Sequence, residues 1–370
     1  MLNANDLKQL ADKGISEQQI EEQLACFVKG FPYLEIAASA SVEKGIMVVS
    51  QEDQATYMDA WDAYLAKNKR ILKFVPASGA ASRMFKNLYE FLSASYYVPT
   101  SDFEKKFFSE ITRFAFYNAL NAVCLANEEK DIPALIAAGN YKAVVSNLLD
   151  AKGLNYGQLP KGLLLFHRAG ETIRTAMEEH LAEGAMYAKN NAGEVNIHFT
   201  VSPEHKALFE QLVSEKKQAY EEKFSVGYDL SFSVQKPSTD TVAADMENNP
   251  FRDKNGKLLF RPGGHGALIE NLNDIDADVV FVKNIDNVVP DSRREPTIRY
   301  KQIIGGTLIL IHDKIEAYLN AIHTGCYTAS DLEEMKRFMN DTLSISDKRL
   351  DSLSGKALAE LIKKSEAKRS

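Results

Sequence analysis

Short apolar runs of strand character alternate with longer helical patterns along the second half of the chain, and that alternation leaves few folds open. Gly162 to Phe166 reads as a strand and residues 170–189 as a long helix. Glu194 to Val201 alternates as a strand does, and Pro203 opens a helix running to about Lys217. Asp229 to Val234 is a strand again, and Asp278 to Lys283 carries the buried run Val279-Val280-Phe281-Val282. Strands separated by helices predict βαβ units and a largely parallel sheet. Such sheets bind ligands at the carboxyl ends of their strands.

One more strand precedes these. The apolar run Ile71 to Val75 is cut by Pro76, a loop of small residues follows (Ala77, Ser78, Gly79, Ala80, Ala81, Ser82), and a helical pattern starts at Arg83. A strand feeding a small-residue loop and a helix is how α/β proteins present backbone N–H groups to a phosphate. The loop lacks the Gly-Lys-Ser/Thr of a Walker A, and Gly79 is its only glycine, so it is no dinucleotide fingerprint. Taken alone, the segment reads equally well as an ordinary tight turn.

Around this core the chain is helical. Residues 1–70 form a helical lead-in, with a capping-box signature at Ser16 to Gln19 before Ile20, Leu24 and Phe27. Gly45 to Val49 reads as a short strand, and Ser50 caps a helix in which Trp61 is a core residue. Residues 87–160 are a helical insertion, with patterns at 104–127, 132–138 and 141–150. Residues 235–277 are irregular, and a long irregular stretch inside a compact domain is usually either functional or disordered. After Pro296 the helical pattern returns over 298–324, 329–341 and 354–367, ahead of a frayed, charged tail. The expected division is an extension (1–70), an α/β core with its insertion (71–297) and a helical end (298–370).

Composition narrows the partners. With 370 residues, 45% of them hydrophobic, the chain can bury a sizeable core. A net charge of −7 argues against a nucleic-acid scaffold or an anionic membrane surface. Cys26, Cys124 and Cys326 suggest a reducing compartment and neither a disulfide framework nor a zinc site. The N-terminus has no signal-peptide pattern, and the longest apolar run, Ile303 to Ile311, is too short to span a bilayer. The expectation is a cytoplasmic protein with no nucleic-acid or membrane partner.

Several side chains could carry chemistry. Asp286 lies just beyond a very apolar strand, where a sheet carboxylate would face a cleft and could hold Mg2+ alongside phosphate oxygens; as a plain alternative, Asp286 and Asn287 make a turn. Gly263, Gly264 and Gly266 flank His265 and would let backbone approach a flat ligand; the segment reads equally well as a flexible turn. Lys161 and Arg83 suit a polyphosphate, one as a point charge and one as a fork. His167 and Arg168 end a strand and could line the cleft. The set Glu171, Arg174, Glu178, Glu179 and Glu183 reads as a solvated helix face. Arg293 and Arg294 follow Asp286 closely and could meet an anionic substrate, although isolated charges are more often surface residues; His198 and His205 read as packing or surface.

In order along the chain, these pieces resemble the nucleotide-sugar pyrophosphorylases of the UDP-sugar type. Ser78 to Met84 is similar to that family's G-x-G-T-R-L signature, with Arg83 on its arginine and Ser82 on its threonine. Leu159-Pro160-Lys161-Gly162 resembles its P-K-G element, and Thr200-Val201-Ser202-Pro203 its M-T-S segment. Gln235 sits where that family has a glutamine before the uracil pocket. Pro262 to Gly266 resembles its P-x-G-[N/H]-G loop, and Asn284-Ile285-Asp286-Asn287 its strand-end N-[I/V]-D-N element. More specifically, the chain is similar to the DUF4301 family of Bacteroidetes.

The resemblance implies an α/β, Rossmann-like GT-A nucleotidyltransferase core with a mainly parallel sheet. It implies Mg2+-dependent attack of a sugar 1-phosphate on UTP. By carry-over, Arg83 and Lys161 are catalytic, and Ser78, Gly79, Ala80, Ala81 and Ser82 cradle phosphates. Gln235, Gly263, Gly264, His265 and Gly266 hold the nucleotide or UDP-sugar, and Asp286 binds the metal. Two departures stand out. Ala81 replaces the signature's second glycine, and the chain after Asn287 reads as helices, so it looks like a shortened version. The alternatives are a non-catalytic nucleotide-sugar-binding module, an inactive truncated fragment, and a helical interaction protein on a decayed scaffold.

Overall fold

The computed structural model describes residues 2–366 apart from Glu35, Ala37 and Ser346; the side chains of Ser82, Ser365 and Glu366 and the tail 367–370 lie outside what it describes. Four strands, β1 (Ile71–Pro76), β4 (Glu194–Val201), β5 (Gly227–Val234) and β8 (Val279–Val282), form one sheet in the order β5-β4-β1-β8. All its neighbours are parallel. The protein is therefore α/β with a parallel sheet, as the alternation of strand and helix predicts. β1 is buried along its whole length, whereas β4 and β5 alternate apolar with polar residues and turn the apolar ones, Val195, Ile197, Phe199, Val201 and Tyr228, into the core.

The two faces differ. One buries Val75, Ala77, Val195, Ile197 and Phe199 against α9 (Ala176–Tyr187) and α10 (Lys206–Phe224). The other buries Leu72 and Phe74 against Leu268 and α11 (Ile269–Asn273). A further core lies in the helical insertion, in which α4 (Lys86–Ser93), α5 (Asp102–Ser109), α6 (Tyr117–Glu128), α7 (Ile132–Ala137) and α8 (Tyr141–Leu149) enclose an aromatic-rich cluster. The single helical pattern expected over 104–127 is two helices. A 3-10 turn at Ile111–Arg113 separates them and turns Phe116 into the cluster.

Gly162 to Phe166 is not a strand of the main sheet. Lys161–Leu163 is a 3-10 turn, and β2 (Leu165–Ala169) pairs antiparallel with β3 (Thr172–Thr175). Gly170, at φ +64°, makes the tight turn between them. The following helix starts only at Ala176, because Thr175 and Glu178 form a reciprocal capping box there.

The irregular stretch 235–277 has an internal order. β6 (Thr241–Val242) pairs antiparallel with β7 (Phe260–Arg261), and bridges at Ala244–Pro250 and Arg252–Leu258 extend the pairing. Asp245 and Asp253 each accept two backbone N–H bonds at the hairpin tips, the usual use of Asp in a turn. The N-terminal helices α1 (Ala4–Lys13) and α2 (Glu17–Lys29) pin this region. Leu10, Ile15 and Ile20 pack on Val242 and Leu258. Gln9 bonds both backbone groups of Leu258, and Arg252 grips Asp6 through two nitrogens.

The chain divides into two compact units. The first comprises residues 1–32 and 68–298, and the second residues 33–67 and 299–370. In the second, α12 (Arg294–Thr324, from residue 299 on) and α3 (Gln51–Leu65) pack at Gly305 and Gly306. α13 (Ala329–Asp341), α14 (Arg349–Ser352) and α15 (Gly355–Glu366) close a small core around Met335, Met339 and Ile362. Trp61 is fully buried, as its spacing predicts. The strand expected at Gly45 to Val49 is absent. Ser41 makes only isolated bridges to Lys44 and Gly45, and no neighbouring strand pairs with the segment. α12 starts at Arg294, earlier than expected, because Pro296 falls in its first turn, where its missing N–H costs nothing.

The glycines allow a test. A Cβ on Gly306 would stand 1.7 Å from the Tyr57 carbonyl oxygen, whereas one on Gly79 would meet nothing within 4 Å. Gly306→Ala should destabilise the protein by at least the ~1–3 kcal/mol typical of overpacking. Gly79→Ala should stay within about 0.5 kcal/mol, the range of an uncrowded surface site. Chemical denaturation of the two variants side by side checks the contrast.

Candidate functional site

The strand order places a crevice. In chain order the sheet runs third, second, first, fourth, so the direction of winding reverses between β1 and β8. Outside the carboxyl ends of those strands is where open α/β sheets hold ligands. The loop after β1 and the segment after β8 meet there. Ile285 N–H donates to the Pro76 carbonyl at 3.2 Å, and Lys283 N–H to Phe74 at 3.0 Å, which continues the pairing past the end of β8. The turn carrying Lys161 closes on the same loop, its N–H donating to the Gly79 carbonyl at 3.1 Å. Lys161 Nζ then reaches Asp286 Oδ2 at 2.5 Å, with 23% of the lysine side chain and 35% of the aspartate exposed. Gly162 is required here, since a Cβ would press to 2.6 Å on the Phe209 ring. The structure thus brings together Gly79, Lys161 and Asp286, which lie far apart in sequence.

A second grouping lies along the same edge. Ser78, Val201 to Glu204, Val234, Gln235, Pro262, Asp240 and Lys13 line a cavity of about 410 Å3. Gln235 Nε2 donates to the Gly263 carbonyl at 3.2 Å and to Thr239 Oγ1 at 3.3 Å. Gly263 allows this closeness, for a Cβ there would lie 2.8 Å from the Thr239 carbonyl oxygen. Below the loop, His198 bridges Ser231 and Ser233 at 2.8 Å each and stacks on Phe74. Asn271 donates to Ser233 and to the Val234 carbonyl, tying α11 to the end of β5. Ser202 Oγ pairs with His205 Nδ1 at 2.7 Å.

The other expected residues stand apart from both groupings. Arg83 is exposed, on the 3-10 turn Ala81–Arg83. Ala81 is fully buried in the helical-insertion core, so the methyl group that departs from the signature fills a packing site. Gly264, His265 and Gly266 are exposed, and a Cβ on either glycine would have open space around it. Arg168 caps carbonyls of Thr112 and Phe114. Lys13 has no signal in the sequence. It belongs to a helix distant in the chain and enters the cavity wall through its 2.7 Å pair with Asp240.

α9 corrects one expectation outright. Arg174, Glu178, Glu179 and Glu183, expected on a solvated face, are buried, and so is Arg294, expected at the surface. Each has partners inside. Glu183, with a side chain 1% exposed, receives Lys73 Nζ at 3.2 Å, Lys283 Nζ at 2.7 Å and the Tyr187 hydroxyl at 2.9 Å. Burial alone would raise its pKa, but the two ammoniums outweigh that and hold it down at about 2. His180, beside it, donates Nε2–H to the Ile285 carbonyl at 3.1 Å. Burial, and then the Lys73 charge, hold His180 well below the usual histidine range. The neutral ring therefore braces the backbone next to Asp286. Further along, Glu179 accepts from Arg294 and Arg174, and His167 Nδ1 lies 3.3 Å from its other oxygen.

Among the described residues no group of three or more His, Cys, Asp and Glu side chains could hold a metal ion. Asp286 supplies one partly exposed carboxylate. That fits Mg2+ only when phosphate and water oxygens complete its shell, the arrangement this ion commonly takes.

A family model described as a domain of unknown function (DUF4301) matches residues 3–368. No curated protein matches the chain, and no solved structure does. No helix among the described residues is long and apolar enough to cross a membrane.

The neutral His180 makes stability depend on pH with a fixed sign. Its folded pKa is depressed, so the unfolded chain takes up a proton first as pH falls below about 6.5. Stability therefore declines from there downward, by at most about 1.4 kcal/mol per pH unit for one proton. His198, also lowered by burial, adds to the decline, and Glu183 adds more between about 4.5 and about 2. Urea titrations at pH 7, 6 and 5 should show a shallower decline in His180→Gln than in the wild type. An unchanged slope would remove His180 from this role.

Proposed function

The chain belongs to the DUF4301 family, and we propose that it is a nucleotidyltransferase-like protein, with a GT-A type of core, that binds UTP or a UDP-sugar with Mg2+ and transfers a uridylyl group to a sugar 1-phosphate. The observation that carries this reading is the Lys161–Asp286 pair beside the Gly79 loop, at the carboxyl ends of β1 and β8 where the winding reverses. A cation and a carboxylate at such a point suit a polyphosphate and its counter-ion.

In this reading the base and ribose enter the cavity walled by Gln235, Ser202 and Pro262. The triphosphate crosses to the exposed loop Ser78 to Ala80, whose backbone N–H groups suit phosphate oxygens. An oxygen of the sugar 1-phosphate attacks the α-phosphorus, the bond to the β-phosphate oxygen breaks, and pyrophosphate leaves with the electron pair. Lys161 exchanges its contact with Asp286 for the phosphates and offsets the charge that builds on them. Mg2+, held by Asp286 and phosphate oxygens, would neutralise the rest. Little covalent work falls to the protein, so positioning carries the rate.

A non-catalytic nucleotide-binding role has one observation in its favour. Arg83 is exposed on a turn whose Ala81 faces the helical insertion, so the signature arginine has no fixed place at the phosphates. Calorimetry with UTP, with and without Mg2+, followed by pyrophosphate exchange over a panel of sugar 1-phosphates, separates the two. UTP should bind more tightly with Mg2+, and Lys161→Ala should weaken it roughly tenfold or more, about 1.4 kcal/mol. Asp286→Asn should remove the Mg2+ dependence while leaving the fold intact. Binding without exchange would favour the non-catalytic role, and no nucleotide binding at all would sink both.

A further inference from the structure

Arg174 and Arg294 meet at the start of α9, and their arrangement asks for more than its own carboxylates provide. Each has a side chain only 3% exposed. Arg174 Nη1 donates to Asp291 Oδ1 at 2.7 Å, and Arg294 Nη1 stands 2.7 Å from the same oxygen without hydrogen-bond geometry. Nη1 and Nε of Arg294 are both buried and have no hydrogen-bond partner among the described residues. Asp291 differs from everything around it. It sits on the short 3-10 turn Asp291–Arg293, and its side chain is 50% exposed.

Behind the pair, Glu179 fixes both guanidiniums, accepting Arg294 Nη2 and, at 3.4 Å, Arg174 Nη1. Lys223 on α10 also acts on Asp291 as a nearby positive charge. Glu179 and Asp291 pair with the two arginines, and removing Asp291 takes one negative charge from beside Arg174, Arg294 and Lys223. Two anchored guanidiniums whose Nη1 atoms converge on one oxygen of a half-exposed carboxylate are an arrangement that suits phosphate. Asp291 brings one oxygen to this spot, Oδ1, whereas a tetrahedral oxyanion brings a separate oxygen for Arg174 Nη1 and for Arg294 Nη1.

We propose that Arg174 and Arg294 form a binding site for a phosphate-class oxyanion, free or as a monoester, and that Asp291 is a built-in occupant which the ligand displaces. The site shares no residue with the Ser78, Lys161 and Asp286 grouping and does not depend on the nucleotide reading.

The test titrates the full chain with inorganic phosphate, glycerol phosphate and acetate by calorimetry. Asp291→Asn keeps the shape of a half-exposed side chain but gives up the internal anion. It should bind phosphate roughly tenfold more tightly than the wild type, or better. Preference for glycerol phosphate over inorganic phosphate would identify a monoester as the ligand, and acetate should bind neither protein measurably. Adding Arg294→Lys to Asp291→Asn should abolish the gain, with Arg174→Lys as the second variant if circular dichroism shows the first misfolded. Affinity for UTP should be unchanged in Asp291→Asn. Phosphate binding no tighter in Asp291→Asn than in the wild type, or a gain that survives loss of the arginine, would overturn the proposal.

Discussion

A single buried carboxylate organises the carboxyl edge of this sheet. Glu183 takes Lys73 from β1 and Lys283 from the end of β8, and it does so from α9. Three segments far apart in sequence are thereby held at one point. An isolated charge so deep would be expelled or neutralised, but two ammoniums and the Tyr187 hydroxyl keep it ionised. Such a cluster adds little net stability over an apolar one, and losing one partner is costly, about 3–5 kcal/mol, because it strands the other charges. Its consequence is geometric. With β1 and β8 fixed relative to α9, His180 meets the Ile285 carbonyl, and Asp286 is delivered to Lys161.

The other side of the cleft is held by different means. The stretch 235–277 has little regular pairing, so its place comes from what it packs on. α1 and α2 supply that through Leu10, Ile15 and Ile20 and through the Asp6–Arg252 and Lys13–Asp240 pairs. From the sheet side, Asn271 and His198 lock the segment to the end of β5. The helical lead-in is thus part of the wall behind the cavity, and its Lys13 lines it.

What the sequence made legible follows from how locally each feature is determined. Strands β1 and β8 show as short apolar runs and β4 and β5 as apolar–polar alternation, and either pattern shows in any short window. The capping box at Ser16 joins residues three apart and shows in the sequence, while the one at Thr175 is as local but lies inside the helix expected over 170–189. The hairpin β2–β3 was missed because Gly162 to Phe166 is apolar for another reason. Leu163 and Leu164 pack on two different cores as a turn does, and Phe166 joins them there. The charges of α9 were misjudged because a helical spacing of acids and bases looks the same whether water or Lys73, Lys283 and Arg294 lies opposite. Only the tertiary partner distinguishes the two. Ala81 illustrates the same limit: in the sequence it stands out as a departure from the glycine pattern, and in the fold it is a packing residue of the helical insertion.

The cleft and the arginine site share one design. In each, a cation is held by a partly exposed carboxylate, Lys161 by Asp286 and Arg174 by Asp291. In each, a buried acid on α9 stands behind: Glu183 orders the backbone that carries Asp286, and Glu179 fixes the guanidiniums. The buried acid cannot leave without stranding charge in a low-dielectric interior, whereas the exposed one can turn into water. The two carboxylates of each pair therefore have separable roles. One sets geometry permanently, and the other is the carboxylate that either proposed anion would displace.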